Sequence, residues 1–267
     1  MSNTSVATLV RSEFKKISST RLWWGLLIGA VVFTAFSAGF TSAFAGVEAG
    51  AGQPTSPGLD TDEAIRSAYG FAAFGGTYIF ALILGITGMT GEYRYQTITP
   101  TFLVSPKRSR VVSAKMIAHI VMGLVYGVVG VLSALVVSGT VIKIRGFDLG
   151  YDTPGLWTSI VLAVLAVAIW TLLGIGIGTL IPNQIVAILV AIFITFLIEP
   201  LASVGLGALD LDTVAGFLPT NASSALMQPA NTFVDYLDWW AGGLVLVGYA
   251  VVLAALGVIL NTRRDVS

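Results

Sequence analysis

Two side chains of this 267-residue sequence have the type and the setting to move protons, and they lie far apart in the chain. Glu199 is the one carboxylate inside a strongly apolar segment, where an ionisable group is a functional hypothesis because its burial is costly. His119 is the single histidine; with no second histidine it builds no two-His metal site, and with no nucleophile beside it the plain reading is a buried hydrogen-bonding residue. Other chemistry is absent at the level of motif. The sequence contains no GxxxxGK[ST] phosphate loop, no HExxH pair, no GxSxG serine and no two aspartates within apolar segments. Zero cysteines leave neither disulfides nor thiolate metal ligands. No catalytic residue and no metal ligand is expected. Glu199, followed by Pro200, either couples protons or closes a broken helix.

A second candidate site is built for contact rather than for catalysis. In the stretch from Gly91 to Arg110, Thr99 can cap a helix whose first residue is Pro100, and Ser105-Pro106 stops it about one and a half turns later. That short helix presents Phe102 and Leu103 away from the apolar segments. Exposed apolar residues there ask for a protein partner or for the lipid headgroups. Lys107, Arg108, Arg110 and Lys115 are expected to anchor the next segment against anionic lipid.

The elements that position these residues follow from composition. The chain is 55% hydrophobic and 10% charged, where a soluble domain carries about a quarter charged residues. This excludes a soluble enzyme, and 14 basic residues balanced by 14 acidic ones leave no field to hold nucleic acid. A spanning helix needs roughly 20 apolar residues, and six stretches qualify, at about 22–44, 71–90, 116–142, 156–181, 185–206 and 240–260. Since a lipid-exposed strand edge leaves amides unpaired, the expected fold is an all-α membrane protein forming a single transmembrane domain over 1–267. Counted on alternate sides of these spans, eleven basic residues face three, which places both termini and the 92–110 loop in the cytoplasm. Ten acidic residues fall on the other side, and Trp23, Trp24, Trp157, Trp239 and Trp240 mark the two interfaces. The first span is too long for a signal core and is read as a retained helix.

Residues 5–20 read as an amphipathic interfacial helix, with Val6, Leu9, Val10, Phe14 and Ile17 on one face and Arg11 and Lys15 opposite. Glu13 sits inside the apolar stripe, explained either by an i,i+3 pair with Lys16 or by contact with a partner. The 46–69 connection reads as a mobile loop, and Pro182, Asn183 and Gln184 alone join two antiparallel neighbours. The fifth span is expected to end early at Ile198, with one or two short re-entrant helices in 207–239, around Phe217 and Pro219, bounding the outer end of any pathway. Gly25/Gly29, Gly123/Gly127 and Gly174/Gly178 permit close helix packing, within one subunit or across a dimer seam.

Gly91-Glu92-Tyr93-Arg94, the run Thr97 to Arg110, Ala114-Lys115 and the late Phe217-Leu218-Pro219-Thr220, set among an amphipathic N-terminal helix and six spans, resemble the permease subunits of ABC-2-type exporters, especially actinobacterial ones. The resemblance implies the type V exporter fold, with a coupling helix after the second span that docks into a separate ATPase. By position, Glu92, Tyr93, Arg94, Thr97, Thr101, Phe102, Leu103, Pro106 and Arg108 would form the coupling site, with Glu92 touching the ATPase. It further implies a non-catalytic subunit without a cofactor of its own, ATP and Mg²⁺ being bound by the ATPase, paired with a second permease copy or a related chain in the plasma membrane. The expected cargo is amphipathic or hydrophobic, as in drug, antibiotic or lipid efflux. The alternatives are a stand-alone proton-coupled carrier or channel using Glu199 and His119, and a scaffold for which the loop is only an epitope.

Overall fold

The computed structural model describes residues 6–47, 58–95, 108–227 and 237–264. Helices are the only regular structure among them. They are α1 (Val6–Ser19), α2 (Leu22–Phe44), α3 (Asp62–Arg94), α4 (Arg108–Ile144), α5 (Leu156–Leu180), α6 (Gln184–Gly207), α7 (Asp212–Ala215), α8 (Pro219–Met227) and α9 (Trp239–Arg264). Six of these, α2 to α6 and α9, are long and apolar enough to cross a membrane. The two ends of the bundle differ in charge: α1, the end of α3 and the start of α4 lie at the basic end, α7 and α8 at the acidic end.

At the centre α5 packs against α3, with α2, α4 and α9 around that pair. The contact is so close because glycines face each other: a Cβ on Gly85 would lie 2.1 Å from the Thr171 carbonyl oxygen, and one on Gly174 equally near that of Leu82. Gly123, Gly127 and Gly178 also face backbone of neighbouring helices within the chain, whereas Gly25 opens onto free space. The most apolar window of α3 is 78% buried, against 22% for α2 and for α6. Phe33, Phe36 and Phe40 of α2 and Leu189, Phe193 and Leu197 of α6 are exposed, as hydrocarbon or another apolar surface requires.

Two expectations about the fold need correction. The fifth span does not end at Ile198: α6 runs through Glu199-Pro200 to Gly207, with a π-helical turn at Ile194–Ile198. Proline lacks the N–H and crowds the carbonyl four residues back, so widening the preceding turn keeps the helix continuous where an ordinary α-turn would break. From residue 58 onward the 46–69 connection is not a mobile loop. Thr61 caps α3 by accepting from the Ala64 N–H, and the π-helical turn Ser67–Phe71 buries Tyr69, whose hydroxyl donates to the Leu149 carbonyl at 3.0 Å. The third span lies within a longer helix: α4 has 37 residues, about 55 Å at 1.5 Å per residue, more than a hydrocarbon core of about 30 Å needs. The three-residue connection to α6 behaves as expected, with Asn183 Oδ1 accepting from the Ile185 and Val186 N–H groups.

Candidate functional site

Four charges from three helices meet at the basic end. Glu13 and Lys16 lie one turn apart on α1, Glu92 lies on the last turn of α3, and Lys115 lies near the start of α4. Lys115 Nζ donates to Glu13 Oε2 at 2.5 Å and to the Gly88 carbonyl at 3.0 Å, and pairs with Glu92 Oε1 at 2.9 Å. Lys16 Nζ donates to Glu13 Oε1 at 2.7 Å and to Glu92 Oε1 at 2.8 Å. Glu13, Glu92 and Lys115 are buried, with 3%, 6% and 2% exposure. Burial alone would raise the Glu13 carboxyl, but Lys115 and then Lys16 outweigh it and hold it below the usual carboxylate range. Burial likewise lowers Lys16, yet Glu13 and Glu92 turn the balance and raise it. The cluster is thus a charge-balanced clamp that fastens α1 to the ends of α3 and α4.

The i,i+3 pair of Glu13 with Lys16 is present as expected. The partner across 102 residues, Lys115, was visible in the sequence only as the break that Glu13 makes in an apolar stripe. Lys115 itself is a correction: it does not reach lipid but turns inward to the two carboxylates. Glu92 also points into the bundle, its carboxylate already engaged by both lysines. Tyr93 is half-buried. Arg94 is exposed, lies 5.7 Å over the Tyr95 ring and donates to Gln184 Oε1 at 3.4 Å. Thr97, Thr101, Phe102, Leu103 and Pro106 lie outside the described residues, as does the short helix expected there; Arg108 is the first residue of α4.

His119 is buried beside this cluster, one turn along α4 from Lys115. Its Nδ1 lies 2.9 Å from the Lys115 carbonyl, which can only accept, so Nδ1 carries the proton and Nε2 is left as an acceptor. Nε2 has no hydrogen-bond partner among the described residues and rests on Gly88, where a Cβ would come within 2.0 Å of it.

At the acidic end the buried carboxylate finds no cation among the described residues. Glu199 Oε2 accepts from the Thr220 N–H at 2.8 Å and from its hydroxyl at 2.6 Å, capping the first turn of α8, which opens on Pro219. Asn221 Nδ2 donates to Ser203 Oγ and the Ala215 carbonyl, and Trp170 Nε1 donates to Ser223 Oγ. The short helices expected in 207–239 are α7 and α8, bound by these contacts to α6 and α5. Pro200 and Phe217 are exposed beside them. Glu199 and His119 therefore belong to opposite ends of the bundle, each engaged locally, and the structure does not bring them together.

Six apolar helices, an interfacial helix clamped to the ends of two of them and short helices tucked under the opposite end describe a multi-pass membrane transport component. The family described as ABC-2 family transporter protein matches residues 9–198, and the chain belongs to it. No curated protein sequence matches the chain.

Proposed function

We propose that this chain is the membrane-spanning permease subunit of an ATP-binding cassette exporter, forming the pathway for an amphipathic or hydrophobic substrate such as a drug, an antibiotic or a lipid. A separate ATPase subunit binds ATP and Mg²⁺ and docks on the 92–110 loop, and a second permease copy or related chain completes the pathway. The observation that carries this reading is the family match over residues 9–198, which takes in the whole of that loop. The clamp adds a mechanical reason. The loop leaves α3 just after Glu92 and enters α4 about two turns before Lys115, so a push on Phe102 and Leu103 is delivered to two spans and α1 held together by buried ion pairs. Glu92 then acts as a positioning residue through Lys16 and Lys115, not as the residue that touches the ATPase.

In this reading the membrane is the plasma membrane and the basic end faces the cytoplasm, an orientation that the basic-residue asymmetry supports. ATP-driven closure of the ATPases shifts the bundle between inward- and outward-open states only through contacts that differ between them, and the docked loop supplies such contacts. The chain itself contributes no catalytic group. The test is recovery of the tagged chain from its native membrane. A stoichiometric soluble subunit with a phosphate-binding loop is expected, and Phe102→Ala with Leu103→Ala should reduce its recovery at least tenfold while insertion stays normal. Full association of that double variant overturns the docking assignment; ATP-independent flux by the chain alone overturns the exporter.

A further inference from the structure

The basic end holds a cavity of about 460 Å³ between α1, the start of α2 and the inner turns of α3 and α4, beside the charge clamp. That volume lies within the roughly 300–1,000 Å³ typical of small-molecule sites. Its lining is mostly apolar and has a direction. Leu84 lies eight residues before Glu92 on α3, about 12 Å deeper along the helix, and Ile17 and Trp23 add to the apolar wall. At the helix ends the lining is charged, and among the described residues the signs are unequal: Glu13 and Glu92 against Lys16, Lys115 and Arg94. Both carboxylates are buried and engaged by the lysines, while Lys16 and Arg94 are exposed. An apolar pocket with one excess positive charge at its membrane-surface end complements an amphiphile with an anionic head and a hydrocarbon tail. Free phosphate would leave the apolar wall uncovered, and a zwitterionic lipid would leave the excess charge unmatched.

We propose that this cavity binds one anionic phospholipid from the leaflet at the basic end, with an acyl chain against Leu84, Ile17 and Trp23 and the phosphate at Lys16 and Arg94. The lipid bridges α1 and α3 at the point where the 92–110 loop begins. It thereby links the composition of the leaflet to the stiffness of that loop's root, whatever molecule the bundle transports.

The test uses the purified full-length chain in detergent and native mass spectrometry with added dioleoylphosphatidylglycerol or dioleoylphosphatidylcholine. One phosphatidylglycerol per chain is expected to survive, with phosphatidylcholine at least tenfold weaker. Gly91 lines the cavity and has nothing within 4 Å of an added Cβ, so Gly91→Leu places its larger side chain from an open position beside the cavity and should lower retention at least tenfold. Gly25→Leu, at a glycine equally open but outside the lining, should leave it unchanged. Lys16→Gln with Arg94→Gln should abolish the preference for the anionic head. Independently of any cavity-filling variant, phosphatidylglycerol brominated on its acyl chains should quench a fluorescence component that Trp23→Phe removes. The proposal fails if phosphatidylcholine is retained equally, if Gly91→Leu retains phosphatidylglycerol as the wild type does, if inorganic phosphate displaces it, if Trp23→Phe leaves the quenching unchanged, or if no lipid is retained.

Discussion

The two ends of this molecule bury carboxylates in opposite ways. At the basic end Glu13 and Glu92 are neutralised by Lys16 and Lys115, four side chains from three helices. At the acidic end Glu199 has neither lysine nor arginine within reach among the described residues; it is held by one backbone N–H and one hydroxyl of Thr220. Each arrangement fastens a helix that does not itself span, α1 in one case and α8 in the other. The difference lies in what a lost partner leaves behind. An ion-pair cluster that loses its central cation keeps two buried charges, whereas a capped helix end that loses its carboxylate keeps N–H groups that water can still reach.

Substitution of the central cation should break this comparison most visibly. Lys115→Met is expected to cost about 3–5 kcal/mol, the range for breaking a buried pair by removing one partner, read as thermal unfolding of the full chain in detergent. Adding Glu13→Gln and Glu92→Gln should recover part of the loss; no recovery would mean that packing, not charge, holds α1. Glu199→Ala should cost less, about 1.5–3 kcal/mol for hydrogen bonds to a charged group, with the loss confined to α8 in hydrogen exchange. A loss as large as that of Lys115→Met would erase the distinction between the two ends. Lys16→Gln should cost under about 1 kcal/mol, because its side chain is 42% exposed and screened by solvent.

The smallest expected effect is that of pH on the clamp. Glu13 titrates below its ordinary 4.5, so its contribution is complete above that value and is lost only as pH falls through the depressed one. Lys16 titrates above its ordinary 10.5, so its contribution is complete below that value and is lost as pH rises through the raised one. The mobility of a spin label at Phe14→Cys should therefore stay flat between pH 4.5 and 10.5. A rise in mobility between pH 5 and 8 would show that the clamp is weaker than its geometry implies.

Much of the architecture was legible because hydrophobic runs of spanning length have few alternatives in lipid. The six spans, the amphipathic α1, the tight α5–α6 connection and the short helices of 207–239 all follow from local patterns. The misreadings arose where a local rule met a tertiary compensation. Glu199-Pro200 reads as a helix end, but a π-helical turn absorbs the proline and α8 supplies donors for the carboxylate. Lys115 reads as a lipid anchor beside other basic residues, because nothing in its neighbourhood names Glu13 as its partner. No local pattern singles out Gly88, although it makes the room that His119 occupies.

The sequence by itself determined that the chain crosses a membrane as helices, how many times, and which end is basic. Those facts depend on the length and polarity of continuous segments, and hydrocarbon leaves the backbone no other way to satisfy its amides. Only the tertiary structure decided which charges meet, because pairings across 76 and 102 residues depend on how α1, α3 and α4 pack rather than on any local pattern. It also decided that Glu92 faces inward, that α6 continues past its proline, and that a cavity with one excess positive charge opens beside the clamp.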